Sequence, residues 1–515
     1  MKTIKNFLST SGSVAAVFSA ATCGILTHFY GLVNTIHGCD DIAQQPYGYG
    51  TGITSGRWFL TGLGDFVGFW GGNYNLPFVN GVLFILIVAI SAGFLVSALK
   101  IQKKSSCILI GILFVVFPSA TSTLYFRYTS VYYGIGLLLA VIAAWVLEKG
   151  HSGMLLSALC LAFSLGLYQA YAPMTIGIFV LQLLRLTMDG KQIKELIYSV
   201  LSMCASLILG LLLYFLFLKI FLWLYNTSLS DYQGIDSMGK IVWADLPKLI
   251  KEAAYSVCMF PVKDYCGLAG MRLIKLSYLL LNGVSVFSIC YIIWKLRKIG
   301  TSVIVLLLCA IFPIAVNFIV IMCPDSWIYT LMVYSFVLIP CVPFVVAECI
   351  PFSKTMTKCN RMLTKFTALL VSTIIFCYSY EANISYTSMF YANRQVENYL
   401  NSIVVQVRMT EGFDKEKEWA FIGDVEDPML RSYWQYENRY GGNEDAQSLL
   451  NRYSRYEWLR NYIGYSPPLA DEKTLLYLCQ REEIQAMPCW PDEGSIKVID
   501  NWVVIKFQDH LGTEA

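Results

Sequence analysis

Apolar runs of membrane-crossing length alternate with polar loops along this chain. Residues 14–36 and 76–99 are nearly all apolar, and each is long enough to cross a hydrocarbon core of roughly 30 Å as a helix. Similar runs follow at 107–126, 128–147, 196–224, 273–294, 303–322, 327–347 and from 366 to about 382. The run 154–186 differs: it is long for one crossing and short for two. Pro173 and the polar Tyr168-Gln169-Ala170-Tyr171 sit near its middle. Irregular backbone at membrane depth is tolerated only when buried in protein or lining a cavity, so a broken or re-entrant hairpin fits best. The pattern predicts an all-α polytopic membrane protein of about nine transmembrane helices plus this hairpin.

Two long polar stretches interrupt the runs, at 37–75 and 225–272. Within the second, 246–258 has helical periodicity and is expected to lie on the membrane surface. Beyond 383 the pattern changes. Residues 386–410 and 446–462 read as amphipathic helices, and 419–423, 474–479, 496–499 and 502–507 as short strands. The predicted division is a transmembrane domain, 1–383, and a small α/β domain, 384–515, of about 130 residues, enough for its own core.

Composition agrees with a membrane protein. Charged residues make up 14% and hydrophobic residues 56% of the chain, with mean hydropathy +0.55. A soluble protein carries nearer about 25% charge. The formal net charge of +3 matters less than its distribution. Loops 1–12, 99–106, 148–153, 187–195, 295–301 and 349–365 are basic, whereas those holding Asp40-Asp41 and Pro324-Asp325-Ser326 are nearly free of Lys and Arg. The basic set is therefore expected in the cytoplasm and the other outside. This works only if 154–186 enters and leaves on one side, and it puts the C-terminal domain outside. The first apolar run is too long for a signal-peptide core and is expected to remain as an anchor. Sixteen Cys are scattered, without CxxC pairs or zinc-spaced Cys/His clusters, so no structural metal site is expected. Cys479 and Cys489 are a candidate pair in an oxidising exterior.

The first polar loop carries the candidate chemistry. Behind Asp40-Asp41 come Gln44, Gln45, Tyr47, Tyr49, Ser55-Gly56-Arg57-Trp58, Asp65, Trp70, Asn73 and Tyr74. Carboxylates and amides grip sugar hydroxyls, and aromatic planes carry ring faces. The plainer alternative is a solvated loop with a helix-capping Asp. No Walker loop, no GxGxxG after a strand and no sizeable cytoplasmic domain offers a nucleotide site, and no nucleic-acid partner is expected.

Two further stretches sharpen this reading: Ser164-Leu-Gly-Leu-Tyr-Gln-Ala-Tyr-Ala-Pro173, and Met487-Pro-Cys-Trp-Pro-Asp-Glu-Gly-Ser-Ile followed by Trp502-Val-Val-Ile-Lys506. With the early Asp-Asp and Gly-Arg-Trp, they resemble the bacterial GtrII-type glucosyltransferase family, over nearly the whole chain. That resemblance implies a GT-C architecture in the bacterial cytoplasmic membrane. It implies a polyprenyl-phosphate sugar, most simply glucose, as donor and a surface glycan such as O-antigen as acceptor. Partners on this reading are the lipid bilayer, a flippase and a donor-lipid synthase. No cofactor is implied, and the metal requirement stays open.

Such transfer needs a carboxylate to take the acceptor proton and a cation to hold the departing phosphate. Asp40 or Asp41 is the candidate base, the other orienting the acceptor or an Arg; Asp65, Asp231, Asp236 and Asp325 stand in reserve. Arg57 is the first candidate for the phosphate, because guanidinium matches phosphate oxygens bidentately; its alternative is an interfacial anchor beside Trp58. Arg127 and Arg272, at predicted external helix ends, are further phosphate candidates, with snorkelling to the headgroups as the alternative. Trp58, Tyr168, Gln169 and Tyr171 are candidate substrate-binding residues, the last three otherwise serving helix–helix packing. Trp434, Tyr436, Tyr440, Trp458 and Trp490 are placed to stack on glycan or to fill the C-terminal core. Of the four His, only His37 is near the acids, where capping or solvent contact is its default. A transporter or flippase of a lipid-linked sugar is the main alternative, but paired broken helices in two repeats are expected of it, and only one broken segment is visible. Other GT-C enzymes, with another sugar or a polymerase or ligase role, also stay open.

Overall fold

The computed structural model describes residues 11–230, 243–296, 298–324, 327–349, 356–430 and 440–511. Asp231, Asp236, Asp325, Trp434 and Tyr436 from the sequence candidates lie outside them. Among the described residues, ten helices are long and apolar enough to cross a membrane, and there is one three-stranded sheet. The chain is a polytopic membrane protein with a small α/β region at its C-terminal end. It forms two compact units: 1–33, 48–383 and 439–441 in the first, and 34–47, 384–438 and 442–515 in the second.

The first unit is helical: α1 Ser11–Val33, α2 Trp58–Trp70, α3 Pro77–Ala98, α4 Lys104–Val116, α5 Arg127–Val146, α6 His151–Leu167, α7 Ala172–Met188, α8 Ile193–Leu224, α9 Leu246–Met259, α10 Arg272–Leu296 and α11 Ile299–Val316. The span Thr330–Glu348 follows. Lipid tails are as apolar as Leu, so such helices are held by close packing and short polar links. A Cβ on Gly111 of α4 would lie 2.5 Å from the Ala16 carbonyl oxygen of α1, so glycine lets these backbones touch. Ser164 Oγ of α6 donates to the Gly136 carbonyl of α5 at 2.8 Å. Thr175 Oγ1 of α7 donates to the Ala140 carbonyl at 2.8 Å, and Ser206 Oγ of α8 to Ser157 Oγ at 2.7 Å.

Helices α6 and α7 each have 17 residues, a rise of about 25 Å apiece. Between them Tyr168 is extended, with φ −158° and ψ 111°, and Pro173 lies in the first turn of α7, where its missing N–H costs nothing. The polar run thus marks the joint of two nearly membrane-long helices, not the middle of one crossing. Helix α9 was expected on the membrane surface. Its apolar stripe, Leu249 and Ala253, packs on Val320 and Ile321.

The expected final crossing and the first amphipathic helix of the C-terminal region are a single 54-residue helix, α12 Met356–Met409. Its sequence holds neither Gly nor Pro, so nothing local stops it. In the second unit, strands β1 Glu418–Ile422, β2 Ile496–Ile499 and β3 Trp502–Lys506 form a sheet in the order β1-β3-β2, with β1 parallel and β2 antiparallel to β3. Two expectations are corrected here. Residues 474–479 belong to a helix, Glu472–Cys479, because Asp471 caps it by accepting from Thr474 N at 2.8 Å. Residues 446–462 are not one helix. Asp445 and Asn451 side chains accept from Ser448 N (2.8 Å) and Ser454 N (2.9 Å), breaking the run. It resumes as Arg455–Trp458 and a π-turn, Leu459–Ile463. Cys479 and Cys489 are free thiols.

The C-terminal motif has a structural account. Lys506 is fully buried, and its ammonium donates to the Gln485 carbonyl at 2.9 Å and the Met487 carbonyl at 2.7 Å, with Asp509 at 2.6 Å. Trp490 N donates to the Lys506 carbonyl at 2.7 Å. The end of β3 therefore fastens the Met487–Trp490 turn, which is why the two stretches belong together.

Candidate active-site clusters

In the first unit the candidates converge on one turn. Ser55 Oγ donates to the carbonyls of Thr51 (2.9 Å) and Gly52 (2.8 Å), closing a tight turn. Gly56 has φ +75°, and a Cβ there would meet Tyr214 Oη at 2.7 Å and Gln169 Nε2 at 2.8 Å. Only glycine suits both the backbone and the space. Gln169 Nε2 donates to the Ser55 carbonyl at 2.9 Å, and Tyr214 Oη to the Gly56 carbonyl at 3.1 Å. The α6–α7 joint and the first polar loop are thus tied at adjacent residues.

That tie presents Arg57 to a pair of rings. Tyr168 stacks on Tyr133 with centroids 4.3 Å apart and planes 14° apart. The Arg57 guanidinium carbon lies 5.2 Å from the Tyr168 centroid and 5.8 Å from that of Tyr133, within cation–π range. Its Nη1 makes one long bond, 3.4 Å, to the Thr51 carbonyl. Its buried Nε has no hydrogen-bond partner among the described residues. A guanidinium has five N–H donors, so most of this one's capacity is unspent among the described residues. Tyr171 meets Tyr168 edge-on at 5.2 Å.

Four sequence candidates fall elsewhere. Trp58 is 2% exposed, enclosed by Phe59, Phe163, Phe217 and Phe221. It packs over Gly166, where a Cβ would come within 2.6 Å of its ring; it is a core residue and not a substrate platform. Arg127 is 1% exposed and donates to backbone carbonyls, Gly31 at 2.5 Å and Leu124 at 3.1 Å, so its guanidinium joins helix ends instead of facing a phosphate or the headgroups. Arg272 is an exposed first residue of α10. Asp65 accepts from the phenols of Tyr49, at 3.0 Å, and Tyr225.

The acids belong to the second unit. Asn393 of α12 clamps His37 through both backbone groups: its Oδ1 accepts from His37 N at 2.8 Å and its Nδ2 donates to the His37 carbonyl at 2.9 Å. His37 is 2% exposed and its Nδ1 is paired with Asp41 Oδ2, which is fully buried. The imidazole lies edge-on to Trp458 and Tyr462, so His37 is neither a cap nor a solvent contact. Trp458, a glycan-stacking candidate, is core. Asp40, one residue away, is exposed. The adjacent carboxylates thus differ: Asp41 is anchored inward and Asp40 faces outward from the short helix Cys39–Ala43.

Glu444, which sequence reasoning missed, holds the start of that helix by accepting from Cys39 N at 2.7 Å. Burial pushes its carboxyl up to about 7; the Cys39 bonds work the other way, and Asp40 and Asp445 add to the rise. A carboxyl whose folded pKa exceeds its unfolded value binds more protons when folded, so its contribution is full below about 4.5 and is lost as pH rises through about 7. Thermal unfolding of the purified protein is expected to weaken between these pH values, and Glu444→Gln should flatten that slope. An unchanged slope in the variant would place the titration elsewhere. Tyr133, Tyr214 and Asn393 were also missed; the Tyr132-Tyr133 pair in an apolar helix was the available signal for the first.

Residues 29–340 match a family model described as Glucosyl transferase GtrII. No curated protein and no solved structure matches the chain.

Proposed function

The chain belongs to the GtrII glucosyltransferase family, and on that premise we propose that it moves glucose from a polyprenyl-phosphate carrier to a hydroxyl of a surface glycan, on the outer face of a bacterial cytoplasmic membrane. The observation that carries the donor assignment is Arg57, a guanidinium seated on two tyrosine rings with its Nε unpartnered among the described residues. A phosphate oxyanion is the ligand such a group accepts bidentately. The lipid carrier suits a chain with ten membrane-length helices among its described residues.

The reaction is a single displacement. Asp40, exposed beside an anchored Asp41, takes the proton as the acceptor oxygen attacks C1. The bond from C1 to the phosphate oxygen breaks, and the charge that develops on polyprenyl phosphate is met by Arg57. Tyr168 and Gln169 position Arg57. With one base and one leaving phosphate, the anomeric centre inverts relative to the donor. Asp41 and His37 fix the turn that carries Asp40.

The assay is purified protein in lipid with acceptor glycan, offered polyprenyl-phosphate glucose or UDP-glucose separately. Transfer from the lipid donor is expected. Transfer from UDP-glucose alone overturns the donor assignment, and movement of the intact lipid-linked sugar without transfer supports a flippase. The proposal also needs the C-terminal region outside. A reporter active only outside the cytoplasm, fused at the C-terminus, is expected to be active; cytoplasmic behaviour would put the acids on the wrong side.

A further inference from the structure

The second unit contains a cleft of about 270 Å³ that the proposed chemistry does not use, close to the lower limit of about 300 Å³ for small-molecule sites. Its lining includes Asp424, Glu426, Gln447, Ser448, Asn451 and Gln508. Carboxylates, amides and a hydroxyl predominate, the groups that exchange hydrogen bonds with vicinal hydroxyls. The walls are fixed by their own bonds. Asp424 Oδ1 accepts from Arg452 N at 2.9 Å, and Asp424 N donates to Gln508 Oε1 at 2.9 Å. The cleft also reaches the acid-bearing turn: Cys39 Sγ donates to the Ser448 carbonyl at 3.3 Å, and Asn451 Nδ2 approaches the same sulfur at 3.3 Å. The residue before Asp40 therefore touches the cleft rim.

We propose that this cleft is the acceptor subsite and that it takes a neutral, hydroxyl-rich saccharide. The assignment rests on the transferase reading above. Charge selects the class: Asp424 and Glu426 line the cleft against one imidazole, His510, the buried Arg455 guanidinium acts on only Asp424 of the two, and residues 384–515 carry 21 Asp and Glu against 13 Lys and Arg. Uronate, sialate or phosphorylated glycans would place anions against carboxylates. Neutral sugars instead offer hydroxyl donors to them, and preset walls reduce the ordering cost of binding.

The test uses full-length protein in lipid nanodiscs. Its probes are a neutral oligosaccharide released from surface polysaccharide and the same oligosaccharide carboxylated at its primary hydroxyls. Saturation-transfer NMR is expected to detect the neutral probe and to lose most of that signal with the carboxylated one. Glu426→Ala combined with Gln447→Ala should raise acceptor KM by about tenfold or more. Donor KM and kcat should stay within about twofold, since neither phosphate nor base is touched. Glu426→Gln should restore part of the acceptor affinity. Thermal unfolding of each variant separates misfolding from lost binding. Transfer with unchanged acceptor KM in the folded variants, or equal binding of the carboxylated probe, overturns the subsite. Saccharide binding lost in the variants while no protein transfers glucose would keep the subsite and overturn the reaction.

Discussion

Asp40→Asn is expected to leave the protein inserted and folded while lowering glucosyl transfer by about 10²-fold or more. The substitution keeps shape and removes basicity. Asp40 is exposed, so the amide buries no new polar group. Its neighbour should behave differently. Asp41 is fully buried against His37, and Asp41→Asn disturbs a buried hydrogen-bonded pair, which costs stability when one partner changes. Asp40→Asn should therefore lose kcat at an unchanged unfolding temperature, and Asp41→Asn should lower that temperature. The assay is turnover per folded molecule, with unfolding followed in parallel. Near-normal turnover in Asp40→Asn with loss in Asp41→Asn would exchange the two roles. Retention in both would leave the loop a scaffold and direct the search to other acids. Asp65 is then the first to test, although two phenols already occupy it.

Arg57→Ala is expected to reduce transfer by about 10²- to 10³-fold, the loss typical of one preorganised charge-stabilising group. The side chain contributes little to the fold beyond its ring contacts, since among the described residues its hydrogen bonding is one 3.4 Å bond. Folded yield should hold. Arg57→Lys should recover only part of the rate: an ammonium restores the charge, but neither stacks as a plane on Tyr168 and Tyr133 nor grips two phosphate oxygens. Tyr168→Leu should resemble a mild Arg57 variant by loosening the guanidinium. If Arg57→Ala instead lowers the inserted amount while each folded molecule turns over normally, Arg57 is an interfacial anchor.

Much of the membrane unit was legible because bilayer thickness sets the length of an apolar run, and Lys and Arg mark the loops. The α6–α7 joint was legible too, since Tyr-Gln-Ala-Tyr-Ala-Pro suits neither lipid nor a helix interior. Arg57 and Tyr168 are both candidates in the sequence, but their meeting was not foreseeable, because it depends on Gly56 and on Tyr214 far along the chain. Trp58 and Arg127 misled for a common reason: hydrophobic patterning does not say whether an aromatic or a cation at a helix start faces the protein or its surroundings. Glu444 was missed because its partner, Cys39 N, is 405 residues away, and no local pattern announces such a pair. The helix at 472–479 was read as a strand because β-leaning residues outweighed Asp471, the single cap that decides it.

The clamp between Asn393 and His37 joins residues 356 positions apart. At ribosomal speeds of about 5–20 residues per second, the Asp40 turn waits on the order of tens of seconds for its second half to be synthesised. Until Asn393 and Glu444 have been made and carried to the same side of the membrane, neither clamp nor cap exists. A nascent or prematurely ended chain would then hold every early helix while the proposed base, Asp40, stays unset. On the proposed chemistry, a chain ended anywhere before Glu444 would be as inactive as one ended near its start.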